Sequence, residues 1–248
     1  MPPPRTSYIG AMTNILLTGS SRGIGAAIAA TLSTQPDVRL VGHGTASGIA
    51  ADFADPAGPR GLWDKALAEL GRIDVLINNA GVFEANPIDQ SDDEWVANWE
   101  RTMRINLTAS AELCRLAVKH WQDRGAKGEK GGGRIVNVAS RAAYRGDSPQ
   151  HWHYAASKAG MVAMTKSIAR GYASAGILAF AVCPGFTMTG MAEEYLSSRG
   201  GEKLLADIPL GRVADPEEVA NAVSYLALAA PPSMTGSVLD VNGASYVR

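Results

Sequence analysis

Asn14-Ile15-Leu16-Leu17-Thr18-Gly19-Ser20-Ser21-Arg22-Gly23-Ile24-Gly25 runs from an apolar stretch through a glycine turn into an alanine-rich segment. The apolar stretch reads as a short strand, and residues 24–35 read as a helix. Gly19 allows a tight turn. Gly23 lets backbone come close to a pyrophosphate, and Gly25 lets the helix pack against the strand. The helix N-terminus then faces negative charge. Glycine spacing alone fits a plain turn equally well; the flanking strand and helix favour a nucleotide site.

Downstream of this unit the same alternation continues. Strands are expected at 38–41, 73–77, 134–138, 177–182 and 238–241, with a weak one at 48–51. Helices are expected at 61–70, 103–124, 154–174 and 216–229, the last with Pro216 in its first turn. Ser91-Asp92-Asp93-Glu94 reads as a capping box opening another helix, and 127–133 as a glycine- and lysine-rich loop. Strands alternating with helices predict an α/β, doubly wound parallel sheet with helices on both faces. Only a few residues separate 38–41 from 48–51, whereas a parallel crossover needs about a dozen. The helix after the second strand therefore reads as deleted.

Composition narrows the function. The 248 residues are 46% hydrophobic, enough for a core without disulfides or metal. Basic and acidic residues nearly balance, 23 against 24, which argues against nucleic acid or an anionic membrane as partner. Cys114 and Cys183 stand far apart and no metal-ligand spacing occurs, so no metal is expected. His151 and His153 lack carboxylate or thiol companions. The start lacks a signal-type apolar run, and no stretch is long enough to span a membrane. These features point to the cytoplasm.

Chemistry concentrates around Tyr154-Ala155-Ala156-Ser157-Lys158. The i, i+4 spacing puts Tyr154 and Lys158 on one helix face. A tyrosine with an ordinary pKa of about 10 is a poor acid/base at neutral pH, and a nearby ammonium lowers that value. Such a pair can serve a carbonyl or an alcohol. Ser140, after the preceding strand, can donate to the substrate oxygen. An ordinary amphipathic helix start explains the pair alone; its companions give it weight.

Together these pieces resemble the short-chain dehydrogenases/reductases over about residues 13–243. Thr18 to Gly25 resembles that family's cofactor motif, and Asn78-Asn79-Ala80-Gly81 its sheet-stabilising motif. The resemblance implies a single Rossmann-type domain over 13–248 after a flexible tail at 1–12. It also implies catalytic residues Asn106, Ser140, Tyr154 and Lys158. Tyr154 would be the acid/base. Lys158 would lower its pKa and hold the nicotinamide ribose, Ser140 would orient the carbonyl, and Asn106 would anchor a relay water. The implied cofactor contacts are Gly19, Ser21, Arg22, Gly23, Ile24, Gly25, Asp52, Phe53, Asn79, Ala80, Gly81, Tyr154, Lys158, Pro184, Gly185, Thr187 and Thr189. Asp52 matches the position facing the adenine. Hydride would pass between nicotinamide and a small-molecule ketone or secondary alcohol.

Cofactor choice rests on the second strand. NAD enzymes usually carry an acid at its end for the ribose hydroxyls. Here residues 42–45 read Gly-His-Gly-Thr, and Arg22 could meet a 2′-phosphate, which favours NADP over NAD; a solvated arginine is the plainer reading. His43 could touch the adenosine or simply be a turn residue. Between Ser140 and Tyr154, Arg141, Arg145, His151 and His153 suggest a polar or anionic substrate, as readily as a solvated loop. Residues 186–195 resemble a substrate lid, with Met188, Met191 and Tyr195 as its apolar face. Val241-Asn242-Gly243-Ala244 departs from the family's usual paired glycines, with subunit contacts the expected consequence. Ile208-Pro209-Leu210-Gly211-Arg212 with Asp215-Pro216-Glu217-Glu218 is most similar to 3-oxoacyl-acyl-carrier-protein reductases. A homotetramer through the two long helices is implied. A non-catalytic NADP-binding regulator and a dehydratase or epimerase on the same fold are the alternatives.

Overall fold

The computed structural model describes residues 12–44, 48–129, 131–189 and 201–248, excepting the side chains of Lys203 and Leu204. Residues 1–11 of the tail expected at 1–12 lie outside the described residues, as do Thr45, Lys130, Met191 and Tyr195. The strands are β1 Thr13–Leu17, β2 Val38–Gly42, β3 Val75–Asn78, β4 Gly133–Val138, β5 Ile177–Pro184 and β6 Val238–Val241. They form one sheet in the order β2-β1-β3-β4-β5-β6, every neighbouring pair parallel. The order reverses between β1 and β3, which opens a crevice at their C-terminal ends.

The main helices are α1 Gly23–Ser33, α2 Gly58–Leu70, α3 Asp92–Met103, α4 Ala109–Ala126, α5 Ala142–Arg145, α6 Trp152–Tyr172, α7 Gly201–Ala206 and α8 Pro216–Leu228. Strand side chains alternate between two cores, as the period of two demands. Ile15, Leu17, Val75, Ile77, Phe180 and Val182 meet Ile28 of α1 and Val223 of α8. Leu16, Leu76, Ile135 and Ala179 face the other way, onto Leu62 of α2 and Leu113 and Trp121 of α4. Both faces are covered, so the strands are mostly apolar.

Several expectations need correcting. The weak strand at 48–51 is only a single parallel bridge between His43 and Ile49. Gly48 comes so close that an added Cβ would lie 2.2 Å from the Gly42 carbonyl oxygen, which suits a touching loop and not a ladder. Among the described residues no helix lies between β2 and α2. The helix expected at 103–124 is broken by a π-helical segment at Arg104–Thr108. The strand expected at 177–182 runs on through Pro184. The tyrosine helix begins earlier, at Trp152, and α2 begins at Gly58 with Pro59 in its first turn. The Ser91 capping box is present, closed by Glu94.

Candidate active site

The glycine turn is held from below by the residues after β3. The Thr18 hydroxyl accepts from the amides of Asn79 and Ala80 at 2.9 and 3.0 Å. The Asn79 amide group donates to the Thr18 and Gly19 carbonyls. An added Cβ on Gly25 would lie 1.8 Å from the Gly19 oxygen, so α1 packs against the turn at backbone contact. Gly23 has φ +52°, and a Cβ there would meet Thr189 at 3.1 Å.

The start of α1, with Arg22 at its N-cap, has neither a side-chain cap nor an acid in its first turn, like those of α2 and α6. By contrast α3 and α8 are closed by capping boxes with acids in their first turns. Open amides and an uncompensated positive dipole end suit a dinucleotide pyrophosphate. The residues present therefore fit that group.

His43 takes a role that its residue type alone did not suggest. Its Nδ1 accepts from the Gly19 amide at 3.2 Å, and its Nε2 lies 3.0 Å from the Ala51 carbonyl. Its ring stacks on Phe53, centroids 4.5 Å apart. Burial lowers its pKa, against the Ala51 bond, so the ring is neutral, with Nε2 donating. Both nitrogens are committed inward, so His43 is a clamp on the glycine turn and has no nitrogen left for adenosine. Phe53 is itself buried in the core, which leaves only its backbone for a cofactor. The Asp52 carboxylate accepts from the Ala54 amide at 2.8 Å within its own turn. Arg22 is exposed, and among the described residues it makes no ion pair.

At the other end, side chains from three segments converge past β4. The Ser140 hydroxyl accepts from the Ala142 amide at 3.1 Å and lies close enough to the Tyr154 phenol to favour its ionised form. Lys158 lies one turn along α6 and is buried. Its ammonium donates to the Val138 carbonyl at 3.0 Å and stands 5.8 Å from the Tyr154 ring centroid. An added Cβ on Gly81 would lie 3.2 Å from Asn106 Oδ1 and 3.5 Å from Lys158 Nζ. Asn106 sits in the π-helical segment, a geometry often found at working sites. Its side chain accepts from the Val82 amide at 2.8 Å and donates to the Val82 carbonyl and to Ser157 Oγ. That side chain is fully engaged in scaffolding, so it holds the post-β3 segment against α6.

The electrostatics differ from the simple expectation. Enclosure of its hydroxyl pushes Tyr154 up to about 12, with the Ser140 hydroxyl pulling the other way. Burial pulls Lys158 down to about 8. The ammonium bonds a carbonyl and lies off the ring, so it does not dominate the phenol. At neutral pH Tyr154 carries its proton.

Pro184 and Gly185 complete the rim. The Pro184 carbonyl accepts from the Arg141 amide at 2.9 Å, and the Gly185 amide donates to Val241 at 2.9 Å. Thr187 is buried, its hydroxyl donating to the Gly185 carbonyl, and Thr189 faces Gly23. Thus the 184–189 segment reaches from the Tyr154 end to the glycine turn. Ser21 and Ile24 lie on the turn, Ile24 partly buried in the core. Arg141 and Arg145 both bond Asp207, so a protein carboxylate already answers the charge that suggested an anionic substrate. Reading the residues alone missed Thr18, Ser157 and Phe83. Phe83 stands directly behind the Gly81-Val82 segment, and that position was its available signal. Among the described residues no cluster of three or more His, Cys, Asp or Glu could hold a metal, and no helix is long and apolar enough to cross a membrane.

A parallel doubly wound sheet with a glycine turn at its switch point and a Ser-Tyr-Lys-Asn cluster defines a nucleotide-dependent oxidoreductase. A family model described as enoyl-(acyl carrier protein) reductase matches residues 19–244. The chain is 34% identical over 247 residues to 3-oxoacyl-acyl-carrier-protein reductase of Escherichia coli, covering 94% of this chain and 96% of that protein. The same enzyme of Vibrio cholerae is likewise 34% identical, with the same coverage. D-Threitol dehydrogenase of Mycolicibacterium smegmatis is 32% identical over 250 residues, 94% of this chain and 92% of that one. The chain belongs to the short-chain dehydrogenase/reductase family. It is an NAD(P)-dependent oxidoreductase acting at a ketone or secondary alcohol.

Proposed function

We propose that this chain reduces a small-molecule ketone with NADPH, with Tyr154 as the proton donor. The observation that carries the reading is the neighbouring Ser140 and Tyr154 hydroxyls, backed by Lys158 and Asn106. A bound nicotinamide would supply hydride to the carbonyl carbon. Ser140 and Tyr154 would grip the carbonyl oxygen, and Tyr154 would release its proton to the alkoxide. A phenol that keeps its proton to about 12 suits this acid role at neutral pH. Lys158, at about 8, would be largely charged there and would stabilise the phenolate left behind. A pure regulator needs no such pair, and the family's oxidoreductases leave the dehydratase or epimerase reading without support.

The phosphate end would hold the pyrophosphate through the open amides of α1, with Gly19, Ser21, Gly23, Ile24 and Gly25 lining the turn. Asn79, Ala80, Gly81, Pro184, Gly185, Thr187 and Thr189 would border the nucleotide along the crevice, and Asp52 and the Phe53 backbone would border its adenine end. Arg22 is the cation available for a 2′-phosphate, and no acid stands at 42–44, which supports NADP over NAD. The outward groove between α4 and α6 joins apolar Ala111, Met164 and Ile168 to polar Arg115, Lys119 and Gln122. Such a mixed face suits a contact between copies through the two long helices, so the reading includes a homotetramer, and the protein would work in the cytoplasm.

NADPH oxidation over a ketone panel, wild type beside Tyr154→Phe, tests the reading. Turnover in the wild type that collapses in the variant is expected. Equal turnover in both would overturn it. A monomer mass by light scattering would overturn the tetramer.

A further inference from the structure

Phe83 brings an apolar ring against the ring of Tyr154. It follows the post-β3 segment that Asn106 fixes through Val82, so its backbone is anchored to the catalytic cluster. Its ring meets the Tyr154 ring edge to face, centroids 4.8 Å apart at 83°. On another side it lies flat on His151, centroids 3.9 Å apart at 5°. His151 is held in turn by a 2.7 Å bond between its Nδ1 and Ser148 Oγ. Burial lowers the His151 pKa, so the backing ring is neutral at pH 7. Despite two ring contacts Phe83 remains 41% exposed. A soluble domain gains nothing by leaving a large ring half in water, and an exposed apolar surface beside a reactive group marks a ligand contact. On the opposite rim Phe186 is also exposed, under the Arg141 guanidinium.

We propose that Phe83, braced by His151, selects ketones that carry a flat unsaturated ring next to the carbonyl. The claim rests on the reading of Tyr154 as the group that meets the carbonyl oxygen. A carbonyl bonded to the Tyr154 hydroxyl puts its substituents within reach of the adjoining Phe83 ring. Aromatic pairs gain offset or edge-to-face contacts that a puckered aliphatic ring of the same size lacks. A polyol carbon chain, such as threitol, has nothing to offer this surface and would strip water from its hydroxyls against it. Bracing adds to the effect, since a ring fixed between Tyr154 and His151 has little freedom left to lose on binding.

The test compares acetophenone with cyclohexyl methyl ketone under NADPH. The readout is the ratio of their kcat/KM values, so that their intrinsic reactivities cancel between variants. In Phe83→Leu the ratio should fall about three- to tenfold, the worth of one ring–ring contact. Phe83→Tyr should hold the ratio within about twofold, because the ring survives. His151→Gln, which removes the brace and keeps the ring, should lower it by about twofold. A ratio unchanged in both Phe83→Leu and His151→Gln, with turnover intact, overturns the proposal and leaves the Tyr154 reading standing. No reduction of either ketone by wild type that binds NADPH overturns the two together.

Discussion

The two ends of the candidate crevice are built from different material. The phosphate end is backbone: amides of a glycine turn, an uncapped helix start, and glycines packed at contact distance. The catalytic end is side chain: two neighbouring hydroxyls, with a buried ammonium and a buried amide fixed by hydrogen bonds. The contrast shows where each end tolerates change. Backbone sites fail through sterics, when an atom is added. Side-chain sites fail through chemistry, when an atom is removed.

Removing one oxygen gives the largest expected effect. Tyr154→Phe should lower kcat by about 10²- to 10⁴-fold, the worth of a positioned acid/base. Its NADPH Kd should stay close to wild type, measured by fluorescence titration. Survival of turnover would mean that the catalytic end does not depend on its side chains. Adding one carbon at the other end should act through stability. Gly25→Ala places a methyl 1.8 Å from the Gly19 oxygen. Overpacking at about 1–3 kcal/mol should lower the Tm by roughly 2–12 °C in calorimetry. An unchanged Tm would show that the turn has slack.

A third measurement sharpens the side-chain half. Lys158 titrates near 8 when folded and near 10.5 as an ordinary lysine. Between those values the unfolded chain binds more protons, so this group makes stability rise with pH from 8 and lose that gain as pH falls back through 8. Tyr154, raised from 10 to about 12, acts in the opposite sense, its contribution full below 10 and lost on rising through 12. Denaturant titrations at pH 8 and pH 10 should show the rise in wild type and a smaller one in Lys158→Met. An equal rise in both would remove Lys158 as its source. The smallest effect concerns the exposed Arg22. Arg22→Ala should weaken NADPH about fivefold, near 1 kcal/mol for a solvated charge pair, and leave NADH within about twofold. Equal losses for both cofactors would take the 2′-phosphate away from Arg22.

The same contrast explains what was legible in the sequence. The strand-turn-helix unit, the two-faced sheet and the Tyr154–Lys158 face follow from local periodicity and glycine chemistry, so they were legible. The π-helical segment around Asn106 was not, because one extra residue per turn leaves the apolar pattern of 103–124 almost unaltered. Nor was the single His43–Ile49 bridge, since a short apolar run looks alike in a ladder and in a touching loop. His43 itself hid because its partners, the Gly19 amide and the Ala51 carbonyl, are backbone and carry no residue-type signal. The direction of the Tyr154 shift depended on where the Lys158 ammonium points, and i, i+4 spacing states proximity without aim.

The inward turn of His43 limits how this scaffold can be redesigned. Exchanging one cofactor for the other is commonly attempted by grafting a carboxylate onto the end of the second strand. At this position the graft would delete the imidazole that bridges the Gly19 amide and the Ala51 carbonyl, and it would bury a charge against Phe53. Position 43 is therefore part of the chassis, and any retuning of nucleotide preference has to start from the solvent side, at Arg22.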